Sequence, residues 1–275
     1  MKPSLTPTQI DTFVQDGFVR LEAAFPRALA ARCRRLLWAE TGLDQRAPAT
    51  WRQPVIRLAH FDAEPFVRAA NTRRLHAAFD QLVGPGRWRP RPNLGTFPIR
   101  FPSKIDPGDA GWHIDGSYAA EGTYYANLWS RDRALLLLFL FSDVGVEDAP
   151  TRISVGSHRD VPRVLAIAGD RGMPFDQVVP LLPQVHRRRL AVATGRAGDV
   201  YLCHPFLVHA ASWPHSGTTP RFIAQPPLAP SAPLQLSRDD GTYSPVEMAI
   251  RLGLGLQRRP ARQRPTQKSP RSARA

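Results

Sequence analysis

Cysteine is almost absent. Cys33 and Cys203 are the only two in 275 residues and lie far apart, which leaves no disulfide framework and predicts two free thiols in a reducing cytoplasm. Long apolar runs are also lacking. The longest, Ala134 to Phe141, falls well short of the roughly 20 residues a membrane helix needs and instead has the length of a strand buried on both faces. The opening MKPSLTPTQ has no apolar signal-peptide core, so a cytoplasmic location without a membrane partner is expected. No segment repeats. Acidic residues run short, 23 against 37 basic ones, for a net charge of +14. Half of that excess sits in Gln257–Ala275, which has seven basic residues and no acidic one. Rich in Pro, Ser and Gln without apolar periodicity, this tail is expected to be disordered. It reads as a solubilising tail or a nucleic-acid arm. The absence of interleaved aromatics favours the first, so nucleic acid is not the expected partner.

What is present suits one domain over 1–256. Hydrophobic content of 43% supplies a core, and 28 prolines with 19 glycines imply many turns and short elements. Helices are predicted within 6–83. Thr6-Pro7-Thr8-Gln9 has the form of a capping box, Ile10, Phe13 and Val14 form a core stripe, and Gly17 is placed to end the helix. A second helix begins near Pro26 and buries Leu29, Cys33, Leu36 and Leu37. A third runs from about Pro65 to Val83. Past Gly84-Pro85-Gly86, short apolar runs separated by Gly, Pro and Asp predict antiparallel strands. They fall at Leu94–Ile99, Gly111–Asp115, Ala134–Phe141, Leu190–Ala193, Asp199–Cys203 and Arg221–Gln225. The fold class expected is mainly β with flanking α-helices, a jelly roll (double-stranded β-helix, cupin-like) over about 90–228. Ser244-Pro245-Val246-Glu247 predicts a last helix at about 244–254.

Chemistry concentrates in two stretches. In GWHIDGSY, His113 and Asp115 are two apart, which on an extended strand places imidazole and carboxylate on one face. They are two of the three ligands of a facial triad, a set suited to non-haem Fe(II) with positions open for cosubstrate and O2. The third ligand is a histidine from a distant strand. Gly198 to Gln225 offers His204, His209 and His215, then Arg221. His204 and His209 are five apart and fall on opposite faces of an unbroken strand, so one of them points at the metal. Pro205 implies a bend after His204. His209 lies beyond it, beside the small Ala210 and Ala211. The open positions of such a triad need a bidentate cosubstrate. For 2-oxoglutarate, the remote carboxylate is matched by an arginine fork, and Arg221 is placed for that.

These pieces together resemble the phytanoyl-CoA dioxygenase family of Fe(II)/2-oxoglutarate oxygenases. The resemblance is carried by LTPTQIDTFVQDGFVRLE at the start, His113-Ile114-Asp115, Gly156-Ser157-His158, Gly198-Asp199, the HPFLVH run from His204 to His209, and Arg221, spanning roughly 5–227. It implies that His113, Asp115 and His209 are the catalytic iron ligands, that Arg221 anchors 2-oxoglutarate, and that His204 is no ligand. An asparagine usually follows the distal histidine closely in the family, and His215 stands nearest that position here. The altered loop makes Ser212 the candidate second cosubstrate contact. Asp115 distinguishes the chain from related halogenases, which lack the carboxylate, and implies hydroxylation of a small molecule, yielding succinate and CO2. A non-catalytic metal-binding jelly-roll module and an oxygenase acting on nucleic acid are the competing readings.

The segment Gly116–Arg133, rich in Tyr and Gly, reads as a substrate lid or a surface excursion, with Tyr118 and Trp129 the candidate substrate contacts. Arg100 is expected in a surface ion pair, Arg152 in loop hydrogen bonding, and His158 as a turn residue bonded to backbone. His60, His76 and His186 are expected on the surface.

Overall fold

A computed structural model describes residues 3–182 and 184–256. The tail 257–275, expected to be disordered, lies outside the described residues, as does the side chain of His186. Helix α1 (Pro7–Asp16) begins as its sequence dictates. Thr6 Oγ1 accepts from Gln9 N–H, the Gln9 side chain accepts from Thr6 N–H, and Gly17 closes the helix at φ 89°. Helix α2 (Arg27–Thr41) buries Leu29, Cys33 and Leu37, whereas Leu36 is 42% exposed and lies off the stripe. Burial pushes the Cys33 thiol up to about 12, as befits a packing residue. The single helix expected over 65–83 is two, α3 (Glu64–Ala70) and α4 (Arg73–Leu82). Thr72 breaks it. Its backbone is extended, its hydroxyl accepts from Leu75 N–H, and the same hydroxyl donates to Ala24 O at 2.7 Å. A local cap tied to a distant carbonyl outweighs the apolar period running through it.

The fold is a jelly roll of short antiparallel sheets with flanking helices. Its centre is β6 (Leu135–Leu140), all six residues of which are buried. One edge pairs with β10 (Val200–Cys203), which in turn pairs with β1 (Phe18–Leu21). The other edge takes β12 (Ile223–Ala224) and β13 (Pro227–Leu228). Facing this sheet is a second one, β11 (His209–Ala210), β7 (Arg152–Ser154) and β9 (Leu190–Val192). Leu136, Leu138 and Leu140 of β6 pack with Ile153, Leu207 and Ile223 between the layers. The opposite face of β6 meets the helices. Phe139 packs against Phe25 with tilted rings 5.8 Å apart, and Phe66 of α3 meets Phe97 edge-on at 5.5 Å. Two further ribbons complete the set, β2 (Val55–Leu58) with β3 (Phe97–Arg100), and β4 (Tyr118–Ala120) with β5 (Thr123–Ala126) and β8 (Met173–Pro174).

Helix α5 (Val161–Ile167) and helix α6 (Pro245–Gly253) close one side, and α6 carries the expected capping box between Ser244 and Glu247. No described helix is long and apolar enough to cross a membrane. Most predicted strands are present in shortened form. Gly111–Asp115 is the exception, because it forms no ladder and touches the sheet only through one bridge, His113 to His209.

Candidate metal centre and cosubstrate pocket

That single bridge builds the site. His113 N–H donates to His209 O at 3.0 Å, and His209 N–H returns the bond to His113 O at 2.9 Å. Directly paired residues of an antiparallel bridge project to the same face, so the two imidazoles lie side by side with ring centroids 4.5 Å apart. Each ring is then oriented by a carbonyl two residues upstream. His113 Nδ1 bonds Gly111 O at 2.9 Å, and His209 Nδ1 bonds Leu207 O at 3.0 Å. A carbonyl accepts only, so each Nδ1 carries the proton and each Nε2 keeps a lone pair for a metal. Asp115 Oδ1 faces both, 3.8 Å from His113 Nε2 and 3.6 Å from His209 Nε2. The three donor atoms lie within 4.8 Å of one another and form the one metal-ligating cluster found among the described residues.

The protonation states agree with that use. Burial drives His209 down to about 4, so it is neutral at pH 7. Burial alone would raise the Asp115 carboxyl, but Arg133, then His209 and His113, oppose it and hold the group below its ordinary value. Arg133 is a residue that the sequence reading missed. Its Nη1 donates to Asp115 Oδ2 at 3.0 Å, and its Nε and Nη2 both reach Gly116 O. Nothing in the Arg131-Asp132-Arg133 run distinguishes it from a surface charge. Two imidazoles and one ionised carboxylate fit a divalent iron.

Arg221 is buried, 2% exposed, and so is Arg100, which corrects the expectation of a surface ion pair. The two pair across backbone bonds just ahead of β12 and at the end of β3. Arg221 Nη1 donates to Ala149 O, and Arg100 Nη2 binds Asp109 Oδ1 at 2.6 Å. The Nε of each guanidinium has no hydrogen-bond partner among the described residues. Burial, reinforced by the neighbouring Arg100, lowers Arg221 to about 9, still charged at neutral pH. Arg100, Ser212 and buried His215 line one small cavity, in which the Ser212 hydroxyl donates to Pro150 O at 2.6 Å.

The other candidates go elsewhere. His204 is buried beside α6, its Nε2 on Val246 O at 3.2 Å, and it lies away from the metal cluster. His158 bonds Val14 O at 3.1 Å, tying its turn to α1, and packs against the tilted ring of His204 at 4.9 Å. Cys203 is fully buried on β10 and its thiol is pushed up by that burial. Tyr118 opens β4, its hydroxyl on Arg171 O and its ring under Arg131, whereas Trp129 packs against the main core. Arg152 bonds Ala110 O and Ala211 O, one carbonyl on each of the segments that carry the histidines, and lies over Trp112 at 4.9 Å. His60 is exposed, but His76 is half-buried against Trp88, 4.8 Å away, because Trp88 itself is held by Asp80.

The family model for phytanoyl-CoA dioxygenase matches residues 13–223. The chain belongs to that family. It is therefore an Fe(II)/2-oxoglutarate-dependent oxygenase, with iron as cofactor and 2-oxoglutarate and O2 as cosubstrates. Among curated proteins none matches significantly. Solved structures share the fold at low identity. HygX from Streptomyces hygroscopicus, with nickel and 2-oxoglutarate bound, has a TM-score of 0.54 at 19% identity, covering 84% of this chain and 90% of that one. EctD from S. alaskensis, with 2-oxoglutarate and 5-hydroxyectoine, has a TM-score of 0.54 at 22% identity over 84% and 77%. The carbocyclase SnoK from nogalamycin biosynthesis has a TM-score of 0.55 at 14% identity over 82% and 83%.

Proposed function

We propose that the chain hydroxylates a small organic molecule, holding iron with His113, Asp115 and His209 and the remote carboxylate of 2-oxoglutarate with Arg221 and Arg100. The observation that carries this reading is the convergence of two imidazoles and one carboxylate within 4.8 Å. The buried pair of guanidiniums supports it. Two cations so close, with one carboxylate on Arg100, form a site in need of a second anion. Iron held there would let O2 serve as the oxidant, one oxygen atom going to 2-oxoglutarate as it is converted to succinate and CO2 and the other to the substrate.

The chain's own residues orient and protect. The bridge between His113 and His209 fixes the spacing of the imidazoles, and the carbonyls of Gly111 and Leu207 fix their tautomers. Ser212 shares the cavity of Arg100 and is the proposed second contact to the cosubstrate. Tyr118, three residues beyond Asp115 at the start of β4, is the proposed substrate contact. A small substrate agrees with solved relatives of the fold whose ligands are 5-hydroxyectoine, hygromycin B and nogalamycin RO. The presence of Asp115, completing the triad, favours hydroxylation. The epimerase SnoN and the carbocyclase SnoK make that choice a matter for product analysis.

The test is anaerobic loading with Fe(II), then titration with 2-oxoglutarate, watching for the visible charge-transfer band of the chelate. The band is expected in the wild type and is lost in His113→Ala, Asp115→Ala and His209→Ala. A metal-loaded protein without the band overturns the reading and leaves a metal-binding module. Mass spectrometry of the converted substrate then separates one added oxygen from ring closure or epimerisation.

A further inference from the structure

We propose that Arg133 is a positioning residue for the metal site, holding the far oxygen of Asp115 so that one oxygen alone is presented to the metal. The inference rests on the reading of His113, Asp115 and His209 as iron ligands.

Asp115 needs such a device. Residues 114–117 belong to no strand, so no ladder sets the direction of the carboxylate as the bridge does for the imidazoles. Arg133 supplies the missing constraint through a three-point grip. Nη1 donates to Oδ2 at 3.0 Å, while Nε and Nη2 donate to Gly116 O at 3.2 and 3.1 Å. The fork therefore grasps the ligand and the next peptide together, and a planar guanidinium does this better than any other side chain. Arg133 is itself held. Its carbonyl accepts from Ser130 Oγ at 2.5 Å, and Ala134 N–H is bonded to Leu228 O at 2.7 Å, where the buried β6 begins. Its side chain is 12% exposed, so the contact with Asp115 is largely shielded from water.

A carboxylate can give one or both oxygens to a hard cation. A metal held by His113, Asp115 and His209 would keep more positions open for a two-atom cosubstrate and O2 if Asp115 gave it a single oxygen. With Oδ2 occupied by a charged donor, Oδ1 is the oxygen left facing His113 and His209.

The sign of the effect separates positioning from simple charge. Removing a cation beside a metal site, by Coulomb's law alone, strengthens metal binding. Loss of the grip weakens it. Fe(II) affinity of anaerobic wild-type, Arg133→Met and Arg133→Lys proteins is therefore the test, with the 2-oxoglutarate charge-transfer band as second readout. Arg133→Met is expected to raise the Fe(II) Kd about 10- to 100-fold and to shift the band. Arg133→Lys, which keeps charge without the fork, recovers part of the affinity. Unchanged or tighter binding by Arg133→Met, with an unshifted band, overturns the proposal. Should Arg133→Met fail to fold, a lysine variant equal to wild type in both affinity and band overturns it as well. Wild-type protein that binds no Fe(II) is a different failure, since it removes the ligand assignment beneath the proposal.

Discussion

Arg100 and Arg221 face each other across an antiparallel bridge, each backbone N–H donating to the other's carbonyl at 3.1 and 2.8 Å, with both side chains buried. Like charges so placed raise the energy of the ligand-free protein and lower that of any complex that brings a carboxylate. Arg221→Met is expected to weaken 2-oxoglutarate binding at least about 100-fold, the scale of losing one partner of a buried charge pair. The same change should leave the ligand-free protein within about 1 kcal/mol of wild type, or more stable. Isothermal titration and thermal melts check the two halves. A badly destabilised variant that retains its affinity for 2-oxoglutarate would show that the pair serves the fold.

His158 and His204 predict an acid-labile fold. Burial holds His204 at about 3 and His158 well below its ordinary value, so both stay neutral in the folded chain. Unfolded, they take protons near pH 6.5. Their contribution is complete above that pH and is lost as pH falls through it, by about 1.4 kcal/mol per unit for each ring. Urea unfolding at several pH values between 7.5 and 5 measures the slope. His204→Gln should flatten it, and an unchanged slope would mean that the pair is not the source.

Gly17 is fixed by its neighbours as well as its backbone. At φ 89°, a Cβ there would sit 2.5 Å from His158 Nδ1 and 2.7 Å from Leu207 Cδ1. Gly17→Ala is expected to cost more than about 2 kcal/mol, combining left-handed strain with a clash between packed groups. A denaturant midpoint within error of wild type would refute that account.

Glu247 is a buried carboxylate with every oxygen engaged. Oε1 accepts from Gln235 N–H and Arg238, and Oε2 from Ser244 N–H and Arg87. Glu247→Ala strands two arginines and opens the cap of α6, for an expected loss of about 3–5 kcal/mol. Chemical unfolding of the variant tests it. Metal affinity, read in parallel, should not change, because α6 lies away from the triad.

The parts of the fold legible in the sequence were those governed by local rules. Capping boxes at Thr6 and Ser244 needed only residues three apart, and β6 announced itself as an apolar run of strand length. The break at Asn71-Thr72 was hidden because the Ala24 carbonyl that stabilises it comes from far along the chain. The Gly111–Asp115 segment has the alternation of a strand but lacks a neighbour to pair with beyond His113. Of the site, the residue types and their order were readable. Arg133 and Arg100 were not, because whether an arginine is a surface charge or a buried fork depends on what folds over it.

The bridge between His113 and His209 has a thermodynamic side. Two residues distant in sequence are joined there by one pair of backbone hydrogen bonds, with β11 itself only two residues long. A metal ion bound between them, as proposed, would act as a cross-link that exists only in the native chain. Its binding free energy is then added to the stability of the fold, by about RT ln(1 + [metal]/Kd). With iron held there, the melting temperature of the protein would rise with metal concentration.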